Sequence, residues 1–123
     1  MDIRHQQRIK IIQNLYAYSF CKKEDKFLNR FDKKTLAVIK NEKQINDYIS
    51  QFALKFPIDK IAKIDLAILQ LSIYELVIEK KEPAKVIIDE AVELAKELGA
   101  ERSFAFINAI LGKVYKKIYG NAV

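Results

Sequence analysis

The stretch Ile64-Asp65-Leu66-Ala67-Ile68-Leu69-Gln70-Leu71-Ser72-Ile73-Tyr74-Glu75-Leu76 decides the fold. With Ile61, Val77 and Ile78 it carries apolar side chains in nearly every direction at helical spacing. A helix apolar all round lies at the centre of its fold. The reading places this helix from about residue 59 to residue 80. Its polar exceptions are informative, because a carboxylate among buried aliphatics needs an ion pair, a cap or an interface. Asp65, Ser72 and Glu75 share one narrow stripe, and Lys63, Gln70 and Tyr74 lie opposite.

Helical spacing continues on both sides. Pro83 suits the first turn of the next helix, where a missing N–H costs nothing. That helix runs to Leu98, with Val86, Ile87, Ala91, Leu94, Ala95 and Leu98 inward, Glu90, Glu93 and Glu97 outward, and Gly99 closing it. The last helix spans about 102–119, with Phe104, Ile107, Leu111, Val114 and Ile118 inward and a small-residue stripe of Ala105, Ala109 and Gly112. Upstream, a helix over 33–56 uses Ile45, Ile49, Phe52 and Phe56, with Asp32 as N-cap, a weak point near Asn41 and Pro57 as its stop. Residues 21–34 read as a polar loop. The first helix covers 3–20. Its stripe of Arg4, Arg8, Ile11, Leu15 and Tyr18 begins basic and ends apolar. The simplest geometry has the first two turns projecting from the body with Arg4, Arg8 and Lys10. No strand-like alternation or hairpin signal occurs, so the fold class is all-α.

With 123 residues and half of them hydrophobic, the chain suits a single domain, 1–123, with a real core. No apolar run reaches the roughly 18–20 residues a bilayer requires, and the first residues lack a secretory stretch. Cys21 stands alone, which fits a cytoplasmic location, and His5 is the only histidine. One Cys and one His make no structural zinc site. There is no Gly-rich phosphate loop, dinucleotide fingerprint or nucleophile elbow. No cofactor is expected, and the reading is a binding module rather than an enzyme. Residues 1–40 hold ten Lys/Arg against four Asp/Glu, whereas the rest is balanced, so the whole net charge of +6 sits in the first third. Such an excess fits a polyanion partner, or simply a solubilising face.

The 64–76 run resembles the signature segment of the NusB family of antitermination factors. So do Pro83-Ala84-Lys85-Val86-Ile87-Ile88-Asp89-Glu90-Ala91-Val92-Glu93-Leu94-Ala95-Lys96-Glu97-Leu98-Gly99, the Ser103-Phe104-Ala105-Phe106-Ile107-Asn108-Ala109-Ile110-Leu111 segment, and Leu15-Tyr16-Ala17-Tyr18. The resemblance covers 1–20 and 57–120. It implies a compact helical domain of two small, roughly perpendicular bundles. It also implies binding of boxA-type single-stranded RNA together with the ribosomal protein NusE, within an RNA polymerase antitermination complex. The RNA-contacting roles would fall on Arg4, Arg8, Lys10, Tyr16, Tyr18, Ser103, Phe106 and Asn108. Asp65 and Glu75 would face NusE. The chain departs from the family in a thinner arginine cluster, and in Gln70, Ala105, Ala109 and Gly112, where an arginine, a lysine, a glycine and an acidic residue are usual. A protein-only adaptor of the same fold, with weak or lost RNA binding, is the alternative. Homodimerisation through the small-residue stripe is a third reading.

Overall fold

Everything is arranged around α4 (Lys63–Ile73), whose last residues pass into a single stretch of π-helix, Tyr74–Glu79. The structure is a computed structural model that describes residues 2–21 and 28–120. The other helices are α1 (Ile3–Tyr18), α2 (Lys33–Lys40), α3 (Glu42–Phe52), α5 (Ala84–Leu98) and α6 (Ser103–Tyr119). No strand occurs among the described residues. α4 touches α1, α3, α5 and α6, as its all-round apolar surface predicts. Ile68, Leu69, Leu71, Ile73 and Leu76 are each at most 1% exposed. Each such side chain contributes about 1.5–3 kcal/mol by leaving water, so the central segment that decides the fold is also a major source of its stability.

Local chemistry explains the ends. Asp2 caps α1 by accepting from the Arg4 N–H at 2.9 Å. The weak point at Asn41 is a real break between α2 and α3, where Asn41 Nδ2 donates to the Ala37 carbonyl at 2.7 Å. The expected loop over 21–34 falls partly on 22–27, outside the described residues; beyond it, Leu28 to Phe31 form a turn closed by the Phe31 N–H and the Leu28 carbonyl. The central helix does not start at residue 59: a 3-10 turn, Ile58–Lys60, precedes it. It ends on Lys80 at φ 54, the left-handed region, with the Lys80 N–H on the Glu75 carbonyl at 2.9 Å. Gly99 closes α5 in an extended rather than left-handed conformation. Its value is space: a Cβ there would lie 2.6 Å from Ser103 Oγ and 2.8 Å from the Ala95 carbonyl.

Three inward assignments are corrected. α3 stops at Phe52 rather than running to Pro57, which leaves Leu54 82% and Phe56 47% exposed on the connecting loop. Val86 lies outside the α5 buried stripe of Ile87, Ala91, Leu94 and Ala95. Phe104 is exposed because the α6 stripe begins at Ser103 and proceeds through Ile107, Ile110, Leu111 and Val114. The Lys96 ammonium sits over its ring, 5.4 Å from the centroid.

Candidate nucleic-acid interface

The basic leading helix does not project. Its first turns lie against acidic side chains at the end of the central helix and on α5. Arg8 is 5% exposed, and Nε donates to Glu75 at 3.0 and 3.3 Å while Nη2 reaches Glu75 at 3.1 Å and also contacts Glu82. Glu75 is 2% exposed and also accepts from Lys34 Nζ at 2.7 Å; Lys34 reaches Glu79 at 3.1 Å. Burial opposes the Arg8 charge, yet the bond to Glu75 and the charges of Glu75 and Glu82 outweigh it and hold the guanidinium above its ordinary range. Lys34 follows the same balance, burial against the bonds and charges of Glu75 and Glu79, with the same upward result. Arg4 is exposed but donates to Glu82 at 2.9 Å. A hollow of about 390 Å³ beside this network is lined by both signs of charge, from Arg4, Arg8, Lys34 and Lys81 to Glu75, Glu79 and Glu82. Most of its cationic charge is already spent within the fold.

A second hollow, of about 350 Å³, has a different chemistry. Phe56, Lys60, Ile61, Ala62, Asp65, Ala100, Arg102, Ser103 and Phe106 line it. Phe56 and Phe106 meet edge to face with centroids 5.9 Å apart, forming an aromatic ridge. Asp65, in the first turn of α4, is about nine-tenths buried, and its Oδ1 has no hydrogen-bond partner. The helix dipole favours a carboxylate in that turn, but a buried acceptor without a donor costs about 1–3 kcal/mol. Ser103, 4% exposed, turns its Oγ to accept from the Ala100 N–H at 2.9 Å. The start of α4 also carries Lys63, whose ammonium lies 4.9 Å from the centroid of the exposed Phe20 ring. Phe20 in turn meets Tyr16 edge to face at 5.1 Å. Exposed aromatics, cations and one buried acceptor therefore gather around the α4 N-terminus.

A family model described as the NusB family matches residues 5–116. The chain belongs to the NusB family. The transcription antitermination protein NusB of Acetivibrio thermocellus is 48% identical over 79 residues, 64% of this chain and 54% of that protein, so the match spans about half of the relative. The protein of the same description from Clostridium perfringens strain SM101 is 30% identical over 118 residues, 96% of this chain and 87% of that protein. Among solved structures, T. maritima NusB superposes with a TM-score of 0.84 at 30% identity, covering 94% of this chain and 92% of that one. A structure of antitermination factors NusB and NusE in complex with dsRNA shares the fold with a TM-score of 0.75 at 18% identity, covering 94% and 99%.

This NusB-family chain separates the residues that sequence reading grouped together. Arg8 is a buried structural cation, which corrects its assignment as an RNA contact. Glu75 is saturated by Arg8 and Lys34, which corrects its assignment to a partner face: a buried, doubly paired carboxylate presents no surface. Asp65 lies with Ser103 and Phe106 in one hollow. Lys10 and Tyr16 are exposed on α1, whereas Tyr18 is half-buried against Phe31, with centroids 6.4 Å apart. Asn108 is exposed on the other side of α6, in a groove with Glu93, Lys96 and Phe104. The sequence assigns none of Phe20, Phe56, Lys60, Lys63 and Arg102 to the site. The signal for Phe56 was its place directly before Pro57, which puts it on a loop once the helix is allowed to end earlier.

Proposed function

We propose that this NusB-family chain binds boxA-type single-stranded RNA with NusE as its protein partner, as a non-catalytic cytoplasmic component of an RNA polymerase antitermination complex. Family membership supports the general role. The observation that carries the RNA reading here is the hollow at the α4 N-terminus. Single-stranded bases stack on aromatic side chains at about 1–3 kcal/mol per base, and Phe56, Phe106, Phe20 and Tyr16 offer such faces and edges. Lys60, Lys63 and Arg102 supply phosphate contacts. The Asp65 carboxylate, which lines the hollow, offers an acceptor to an N–H edge of a base. Ser103 and Phe106 act as part of this hollow, and Lys10 and Tyr16 extend the surface along α1. Arg4 plays a lesser part, held by Glu82.

The neutralised leading helix favours the second reading, a protein-only adaptor. Fluorescence anisotropy with a labelled boxA-type oligonucleotide, with and without NusE at two salt concentrations, separates the two. The RNA reading expects binding that weakens as salt rises and that Phe56→Ala weakens further. No RNA binding under any of these conditions, with NusE still bound, overturns it in favour of the adaptor.

A further inference from the structure

We propose that His5 is a pH-operated latch that fastens the first turn of α1 to α5. The imidazole lies between two carboxylates two turns apart on α5: Nδ1 contacts Glu90, and Nε2 lies 2.8 Å from Glu97 Oε2. A neutral imidazole has one N–H, so either tautomer leaves a lone pair facing a carboxylate. Only the imidazolium donates to both. The Glu90 side of the contact is partly withdrawn from water, with the His5 side chain 19% and the Glu90 side chain 23% exposed, whereas the Glu97 side chain is 48% exposed. Charges around it leave the requirement in place. Arg4 and Arg8 on α1 are engaged by Glu82, and Arg8 also feels the Glu90 charge. Glu93, between the two carboxylates in sequence, pairs loosely with Lys96 at 3.8 Å.

The bonds to Glu90 and then Glu97 raise the His5 pKa above its ordinary 6.5. The sign follows from linkage: a raised folded-state value gives docking strength that is complete below 6.5 and lost as pH rises through the raised value. Arg8 stays charged throughout and keeps its bond to Glu75, so the loosening is confined to the first turn of the helix. Above the transition, Glu90 and Glu97 are released for other contacts, while Arg4 keeps its bond to Glu82. Below it, the turn is pinned.

His5 is the only histidine, so its ring resonances titrate alone in an NMR spectrum of the full chain. The expected midpoint lies above 6.5 and moves down in both Glu90→Gln and Glu97→Gln. Amides of residues 6–9, corrected for intrinsic rates, should exchange faster above that midpoint, and His5→Gln should remove the pH step. A midpoint at or below 6.5 that neither substitution moves would overturn the latch. So would amide protection in residues 6–9 that is equal on both sides of the midpoint.

Discussion

Replacing Glu75 by Gln keeps the volume of the side chain and removes its charge. Three donors lose their ionised acceptor: Arg8 Nε at 3.0 Å, Arg8 Nη2 at 3.1 Å and Lys34 Nζ at 2.7 Å. The Arg8 side chain is 7% exposed, so water cannot replace what is lost. Removing one partner of a buried pair costs about 3–5 kcal/mol. Glu82 still reaches Arg8, and Glu79 still reaches Lys34, which favours the lower end, about 3 kcal/mol. For a chain of this size about 1 kcal/mol moves the melting temperature by about 4 °C. Thermal unfolding followed by circular dichroism should therefore show a fall of about 12 °C. The double substitution Arg8→Met with Glu75→Leu should recover more than half of it, because a matched apolar pair leaves no orphaned charge. A fall of less than about 4 °C in the single variant would refute a buried, stabilising ion pair at this position. Arg8→Ala belongs to the same class, and any loss of RNA binding it causes must be read against its loss of fold.

Gly99→Ala forces a Cβ against the Ala95 carbonyl, a backbone atom that cannot swing aside, and should cost about 1–3 kcal/mol in chemical denaturation; an unchanged midpoint would contradict the close approach. Lys80→Gly relieves left-handed backbone strain of about 1 kcal/mol and gives back part of that in unfolded-state freedom, so a net gain of about 0.5 kcal/mol is expected. A melting temperature lowered by several degrees would show that Lys80 does more than end the π-helical stretch. Ile68→Asp places a charge at a fully buried position and should leave the chain unfolded at room temperature by far-ultraviolet circular dichroism.

The central helix was legible because its apolar pattern has no exposed side, a property of composition as much as of spacing. The helix after Pro83 and its end at Gly99 were legible from local signals, although what Gly99 supplies is space against Ser103 and Ala95. The place of the cations was not. Arg4 and Arg8 look like a solvent-facing basic arm, with His5 lying between them, when only their own helix is considered. Their carboxylates lie 67 to 92 residues away, on Glu75 of the central segment, on Glu82 after it, and on an α5 face whose glutamates look ordinarily wet. Glu90 and Glu97 are that face, and α1 docks on it through His5. The hollow was half legible: Ser103 and Phe106 were marked, but Phe56 was hidden in an apolar stripe that ends at Phe52. Asp65 was recognised as an anomaly, and only the fold places it beside those aromatics rather than on a separate surface.

We propose the RNA contact at the α4 N-terminus, with Arg4 and Arg8 of α1 largely engaged by carboxylates of the fold. The most direct test is one anisotropy titration of a labelled boxA-type RNA, with NusE present, against the unaltered chain, Phe56→Ala and Arg4→Ala. Arg4 is exposed and its variant should melt like the parent, whereas Phe56→Ala loses its ring contact with Phe106, about 0.5–1.5 kcal/mol, and should melt slightly lower but stay folded. The account predicts an affinity loss of about tenfold for Phe56→Ala, one lost stacking contact, and little change for Arg4→Ala. A strong loss on Arg4→Ala with Phe56→Ala indistinguishable from the parent would contradict it.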